Sequence, residues 1–279
     1  MIIKLNYKII GITIALIFIG LTTSVSLYNY SIATVAEASD VLPIPIIMYH
    51  QTKNSNLGKD VISPSEFEAD LKYLKENNYT TITMTQLIDY VYKNKPLPEK
   101  PIILTFDDGY YNNYKYVFPL LQEYNMKIVL SIIAEATDEF SEMKDGKERA
   151  HMTWEHINEM LDAGCVEIQN HTYDLHSMKK RIGCTKKRGE TVEQYKKVLM
   201  EDLTKAQERI KEMTGTTPNT FVYPYGKMSK ETNDILKDVG FKATLNCGGK
   251  MNYVSKDPED LLELKRLRRD SRKKLRKAT

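Results

Sequence analysis

Two adjacent acids and two later histidines carry the clearest chemistry of this chain. Asp107 and Asp108 close the run Pro101-Ile-Ile-Leu-Thr-Phe-Asp-Asp-Gly109, and His171 and His176 come later. A short apolar run ending in two acids and a glycine predicts a buried strand that delivers charge to a sheet edge. One carboxylate with two imidazoles is the open three-ligand set of a catalytic metal, which keeps a position for water or substrate. The other carboxylate is then free to move protons. A metal held this way stays net positive, so it can lower the pKa of bound water and polarise a carbonyl.

The elements that must position these residues alternate between strand and helix. Ile44-Pro-Ile-Ile-Met-Tyr-His50 is a short apolar run ending in a histidine. Ser63-Pro-Ser-Glu66 predicts a capping box with proline at the first helical position, and Thr83-Met-Thr-Gln86 opens the next helix. Further strands are expected near 102–106, 128–133, 165–169, 220–223 and 242–245, with Gly164, Gly215 and Gly240 where C-terminal caps belong. Repeated β-then-α units imply a parallel sheet with right-handed crossovers. About seven units favour an α/β fold closed into a barrel, whose chemistry sits at the C-terminal strand ends. His50, Asp107, Asp108, His171 and Tyr223 all fall at such ends.

Length and composition fit one exported catalytic domain. In a chain of 279 residues, Lys4 and Lys8 precede the uncharged stretch Ile9–Val25, the layout of a signal peptide or membrane anchor. Residues 1–40 are assigned to that segment and a short linker, with Ala36-Glu37-Ala38 suited to cleavage, and residues 41–279 to the catalytic domain. The protein is therefore expected outside the cytoplasm, either secreted or associated with the membrane through residues 9–25. Cys165, Cys184 and Cys247 are too few for a disulfide framework or a thiolate zinc site, although one disulfide stays open. Residues 265–279 hold nine Lys or Arg against one Asp, while the net charge is +3. The basic tail is either a solvated end or a contact for anionic polymer or membrane. A monomer with no nucleic-acid partner is expected.

Thr105-Phe-Asp-Asp-Gly109, His171-Thr-Tyr-Asp-Leu-His176 and Phe221-Val-Tyr-Pro-Tyr-Gly226 come in the order and approximate spacing of the polysaccharide deacetylases of carbohydrate esterase family 4. The chain resembles that family over roughly residues 44–270. The resemblance implies a distorted (β/α)7 barrel that hydrolyses the acetamide of N-acetylated sugars, or sometimes acetyl esters, with a divalent metal that is often zinc. It further implies Asp107 as catalytic base, Asp108, His171 and His176 as metal ligands, and the backbone N–H of Tyr225 as an oxyanion donor. Tyr223, Pro224, Tyr225 and Tyr110 are expected to contact the polysaccharide.

Three departures stand out. His171 and His176 are spaced i, i+5 where the family uses i, i+4, so the loop must bulge by one residue. Val222 and Tyr223 occupy the stretch where the family carries an arginine, and nothing obvious replaces it, although Arg266, in Leu264-Lys-Arg-Leu267, is within reach of the site from a last strand. The final Leu-x-His motif is absent from the C-terminal region. Its chemical equivalent is Ile46-Ile-Met-Tyr-His50, as in circularly permuted members, which makes His50 the expected general acid.

Bland readings compete at several positions. His151 and His156 read as structural residues at a helix start, and Trp154 as packing rather than sugar stacking. Tyr110, Tyr111 and Tyr114 suit either a groove wall or ordinary helix packing. Two other functions stay open: a glycoside hydrolase with two carboxylates flanking the bond, and a wall-binding protein that keeps the fold without turnover.

Overall fold

The computed structural model describes residues 41–143, 150–179 and 181–272, together with Gly20, Thr22, Thr23 and Leu275. The chain divides into two units, Met1–Leu42 and Pro43–Thr279, and the second holds the barrel. The expected leader at 1–40 lies almost wholly outside the described residues, among which no helix is long and apolar enough to cross a membrane.

Seven parallel strand positions form the frame. They are β1 (Ile46–Tyr49), β3 (Pro101–Phe106), β4 (Ile128–Ile132), β5 (Val166–Asn170), β6 (Thr220–Val222), β7 (Ala243–Asn246) and a last strand in two halves, β8 (Leu264–Lys265) and β9 (Leu267–Arg268). The short β2 (Thr80–Thr81) flanks the start of β3. β3 and β4 are buried at every residue, which is why they read as unbroken apolar runs rather than alternating ones. The hydrogen-bonded order is β8-β7-β6-β5-β4-β3-β1-β9. Only Arg266 separates β8 from β9, yet Leu264 pairs with Leu245 on one side and Leu267 with Ile47 on the other. One strand thus closes the ring, and the (β/α)7 barrel expected from the pattern is the fold.

The helices form for reasons visible in the chain. In α1 (Pro64–Glu76), Glu66 N–H donates to Ser63 Oγ at 3.1 Å while the Glu66 carboxylate accepts from Ser63 N–H at 2.8 Å. Its stripe of Phe67, Leu71 and Leu74 is buried against the strands. Phe67 meets Tyr49 and Phe106 edge-on, and those two rings stack at 4.8 Å. Truncating Phe67 to alanine would cost about 3–5 kcal/mol. The second capping box, Thr83 with Gln86, opens α2 (Met84–Lys93) as expected. The remaining helices are α3 (Tyr111–Tyr124), α4 (Ala134–Glu142), α5 (Trp154–Asp162), α6 (Val192–Thr214) and α7 (Thr232–Val239).

Two points that the sequence leaves open are narrowed. All three cysteines are free, so no disulfide is formed. In the described part of the basic segment, two arginines are not solvated. Arg266 is fully buried, and Arg269 is buried with its guanidinium on Asp70, at 2.6 Å from Nε and 3.1 Å from Nη2. Burial of a guanidinium demands a paired carboxylate, and both arginines have one.

Candidate active site

β3 delivers the two aspartates to the mouth of the barrel and then turns sharply. Asp107 N–H still donates to Tyr49 O at 3.1 Å, continuing the ladder, whereas Asp108 and Gly109 adopt φ 70° and 71°. A side chain on Gly109 would come within 3.0 Å of Ile132 Cγ2, so the turn requires glycine there. The left-handed pair sends neighbouring carboxylates to different partners.

Asp107 is held by Arg266. The guanidinium donates from Nη1 to Oδ1 at 2.7 Å and from Nη2 to Oδ2 at 2.8 Å, and its Nε donates to Asn246 O at 3.2 Å. Burial alone would raise the carboxyl pKa, but the charge and double hydrogen bond of Arg266 outweigh it and hold Asp107 below the usual range. His50 Nε2 lies 3.9 Å from Asp107 Oδ2, and its Nδ1 faces Asp60 Oδ1 at 3.9 Å. Asn113 Nδ2 fixes the His50 carbonyl at 2.7 Å.

Asp108 meets the histidines. Its Oδ1 lies 3.4 Å from His171 Nε2 and 3.2 Å from His176 Nε2, and all three ligand atoms fall within 4.8 Å of one another. His171 Nδ1 donates to Val222 O at 2.8 Å, which fixes the ring and turns Nε2 toward Asp108. The loop between the two histidines presents both rings to Asp108. Thr172 adopts φ 80°, and the N–H groups of Tyr173 and Asp174 both donate to the Asp202 carboxylate, at 2.9 and 2.8 Å. Burial, then the neighbouring His171, lower His176 to about 4, so it is a neutral imidazole near pH 7. Burial would raise Asp108, but contact with His171 and the charge of both histidines hold it well below the carboxylate range. Asp108 Oδ1 is buried without a hydrogen-bond partner. A buried acceptor left unpaired between two imidazoles fits a divalent cation, and an oxygen–nitrogen–nitrogen donor set suits zinc and other borderline ions.

The third motif departs from expectation. Tyr223 and Pro224 are buried and do not face the mouth. The Tyr223 ring packs edge-on against Phe221 in an apolar cluster, and its hydroxyl bonds Asn233. Strand alternation turns Tyr223 inward, so these two residues shape the loop. Tyr225, at φ 59°, is the exposed member, with its hydroxyl 3.1 Å from His176 Nδ1. Tyr110 is half-buried on the other side. Burial, then the charge of Asp108, push its hydroxyl pKa up. Trp154 is buried, with Nε1 donating to Asp138 at 2.8 Å, and His156 serves the Thr153 cap. His151 supports the site from beside it, with its Nδ1 2.8 Å from Asp108 O and its ring stacked on Tyr110 at 4.9 Å.

Sequence reasoning missed Asp60 and Asp202. Asp202 carried a signal: with Tyr195, Leu199 and Ala206 it lies on the apolar stripe of α6, where an unpartnered acid would be costly. Asp60 sits in a polar turn with no periodicity to betray it.

The sequence profile described as polysaccharide deacetylase matches residues 94–244. The chain is 27% identical over 200 residues to the poly-β-1,6-N-acetyl-D-glucosamine N-deacetylase of Escherichia coli K12, covering 64% of this chain and 30% of that protein. It is 24% identical over 199 residues to the protein of the same name from Staphylococcus aureus, covering 70% and 64%. The chain thus spans about a third of the first relative and under two thirds of the second. The de-N-acetylase from Aggregatibacter actinomycetemcomitans shares the fold, with a TM-score of 0.71 at 23% identity over 85% of this chain and all of that one. IcaB from Ammonifex degensii superposes with a TM-score of 0.66 at 26% identity, covering 81% and 91%. With the family profile spanning more than half of its length, this chain belongs to the polysaccharide deacetylase family.

Proposed function

We propose that this chain removes N-acetyl groups from an N-acetylglucosamine-containing polysaccharide outside the cytoplasm, using a divalent metal, zinc first, held by Asp108, His171 and His176. One observation carries the reading: a buried, unpaired carboxylate oxygen faces two imidazoles beside a second carboxylate fixed by an arginine. A bound metal supplies Lewis acidity toward the acetyl carbonyl and the attacking water. The chain's own residues do the rest. Asp107, kept ionised by Arg266, takes the water proton as oxygen adds to the carbonyl carbon. The C–N bond then breaks to give acetate, and the departing nitrogen takes a proton from His50. The Tyr225 backbone N–H is the oxyanion donor that the family resemblance suggests. Tyr110 and Tyr225 flank the sugar.

The relatives named for poly-β-1,6-N-acetylglucosamine favour an exopolysaccharide over peptidoglycan, chitin or acetylated xylan. A binding-only protein draws on the missing motif arginine and the displaced histidine, and the Arg266–Asp107 fork weakens the first of these motives. A glycosidase is disfavoured because the two carboxylates are committed to an arginine and to a histidine pair. The charged start and apolar stretch of residues 1–25 favour an exported enzyme, secreted or held at the outer face of the cell membrane. Acetate release from N-acetylglucosamine oligomers, lost on chelation and restored with zinc, is the test. Shortened oligomers without acetate would overturn it in favour of glycosidase chemistry.

A further inference from the structure

A cavity of about 730 Å³ opens beside the site. It shares Tyr110, which lies against Asp108, with the site, and its wall residue Gln51 follows His50 in the chain. Its other walls include Tyr111, Tyr116, Lys53 and Lys115. The wall is built rather than incidental. Asn112 accepts from Thr52 N–H at 3.1 Å and donates to Gln51 Oε1 at 3.2 Å, while Tyr111 N–H donates to Ala150 O at 2.9 Å. Lys115 Nζ stands over the Tyr116 ring at 5.2 Å. Neither Lys53 nor Lys115 pairs with a carboxylate among the described residues, and no acid is found among the described lining residues. Among the described residues the cavity therefore offers aromatic faces, amide groups and two lysines without a carboxylate partner.

We propose that this cavity is a subsite for the sugar next to the one being hydrolysed, and that its two lysines exclude a neighbour already converted to cationic glucosamine. The proposal rests on the deacetylase reading above and adds a rule about product pattern. Tyrosine faces suit the C–H faces of a sugar ring, and amides suit its hydroxyls and an intact acetamide. A neutral N-acetylated neighbour meets no penalty there. A protonated amine adds a third positive charge to a half-exposed pocket, where repulsion acts over several ångströms and is screened by salt. Successive cuts on one chain are then discouraged, and the product carries isolated glucosamines rather than blocks.

The test compares fully N-acetylated oligomers with oligomers carrying one glucosamine, using the full chain at about pH 6, where the amine is protonated. Binding is read by calorimetry and turnover by acetate release. The expected result is roughly three- to tenfold weaker binding and a correspondingly higher KM when glucosamine neighbours the reacting sugar, diminishing at high salt. Lys53→Gln with Lys115→Gln should erase the difference, and Lys53→Glu with Lys115→Glu should reverse it. Equal binding of both oligomers, or a preference untouched by the lysine variants, would overturn the subsite. Charge discrimination in binding without acetate release would keep the subsite and sink the deacetylase reading instead.

Discussion

The two ends of the barrel are built on opposite terms. At the N-terminal end, Glu167 accepts from Met84 and Thr85 N–H groups at the start of α2, and Gln169 bridges Glu167 and Asn219. Asn219 in turn donates to Thr85 Oγ1, so the polar groups of that network are paired. At the mouth the reverse holds. Among the described residues, His50, Thr52, Asp60, Asp108 and Asn113 each carry a buried side-chain atom without a hydrogen-bond partner. Asp108, Thr172 and Tyr225 also hold left-handed backbone at φ 70°, 80° and 59°, which non-glycine residues adopt at a cost. One end stabilises the fold. The other keeps unsatisfied groups where a ligand can satisfy them.

That contrast can be broken or sharpened by mutation. The largest effect is expected at the mouth: Asp108→Asn should abolish zinc retention and acetate release together, yet leave the metal-free chain as stable as before or more so. A large loss of metal-free stability would show that Asp108 serves the fold. Next comes Arg266→Met, which strands a buried carboxylate and should cost roughly 3–5 kcal/mol by denaturant titration. Asp107 sits below its ordinary value, so its contribution is fully present above the unfolded carboxylate pKa and is lost as pH falls through the folded one. Without Arg266 the largest influence lowering the Asp107 pKa is lost and only the weaker charges of His171 and His50 oppose burial, so Asp107 rises and the acid limb of the activity profile should move to higher pH. An unmoved limb would end the base assignment.

Smaller effects are expected further from the chemistry. Asp202→Ala frees the two N–H groups of the His171–His176 loop and should weaken metal affinity about 10–100-fold in a chelator competition, with the fold retained by circular dichroism. Unchanged affinity would mean that the loop holds itself. At the opposite end, Glu167→Ala should lose about 1–3 kcal/mol of stability while kcat/KM per folded molecule stays the same. A drop in kcat/KM would blur the division between the two ends.

Much of this was legible along the chain. Strand runs such as Pro101–Phe106 announced themselves because parallel strands are apolar on both faces, and the capping boxes at Ser63 and Thr83 because they are local hydrogen-bond patterns. The candidate metal group of Asp108, His171 and His176 was legible because few arrangements other than a metal site bring an acid and two histidines to strand ends. Tyr223 was misread: a motif tyrosine promises a contact, but alternation along β6 turned it into the core. Arg266 looked like one charge in a basic tail until the closing strand buried it.

The sequence by itself determined the units of the barrel and the identity of the acids and histidines, since each rests on spacing and local backbone chemistry, while the bulge between His171 and His176 was implied by the family resemblance. Only the tertiary structure decided which side chains share a partner. Asp107 and Arg266 stand 159 positions apart and meet because strand closure brings the last strand beside the first. Asp202 reaches the histidine loop because α6 packs behind it. Pairings of this kind depend on ring closure and on the direction each side chain leaves its element, and neither is written in any short stretch of the chain.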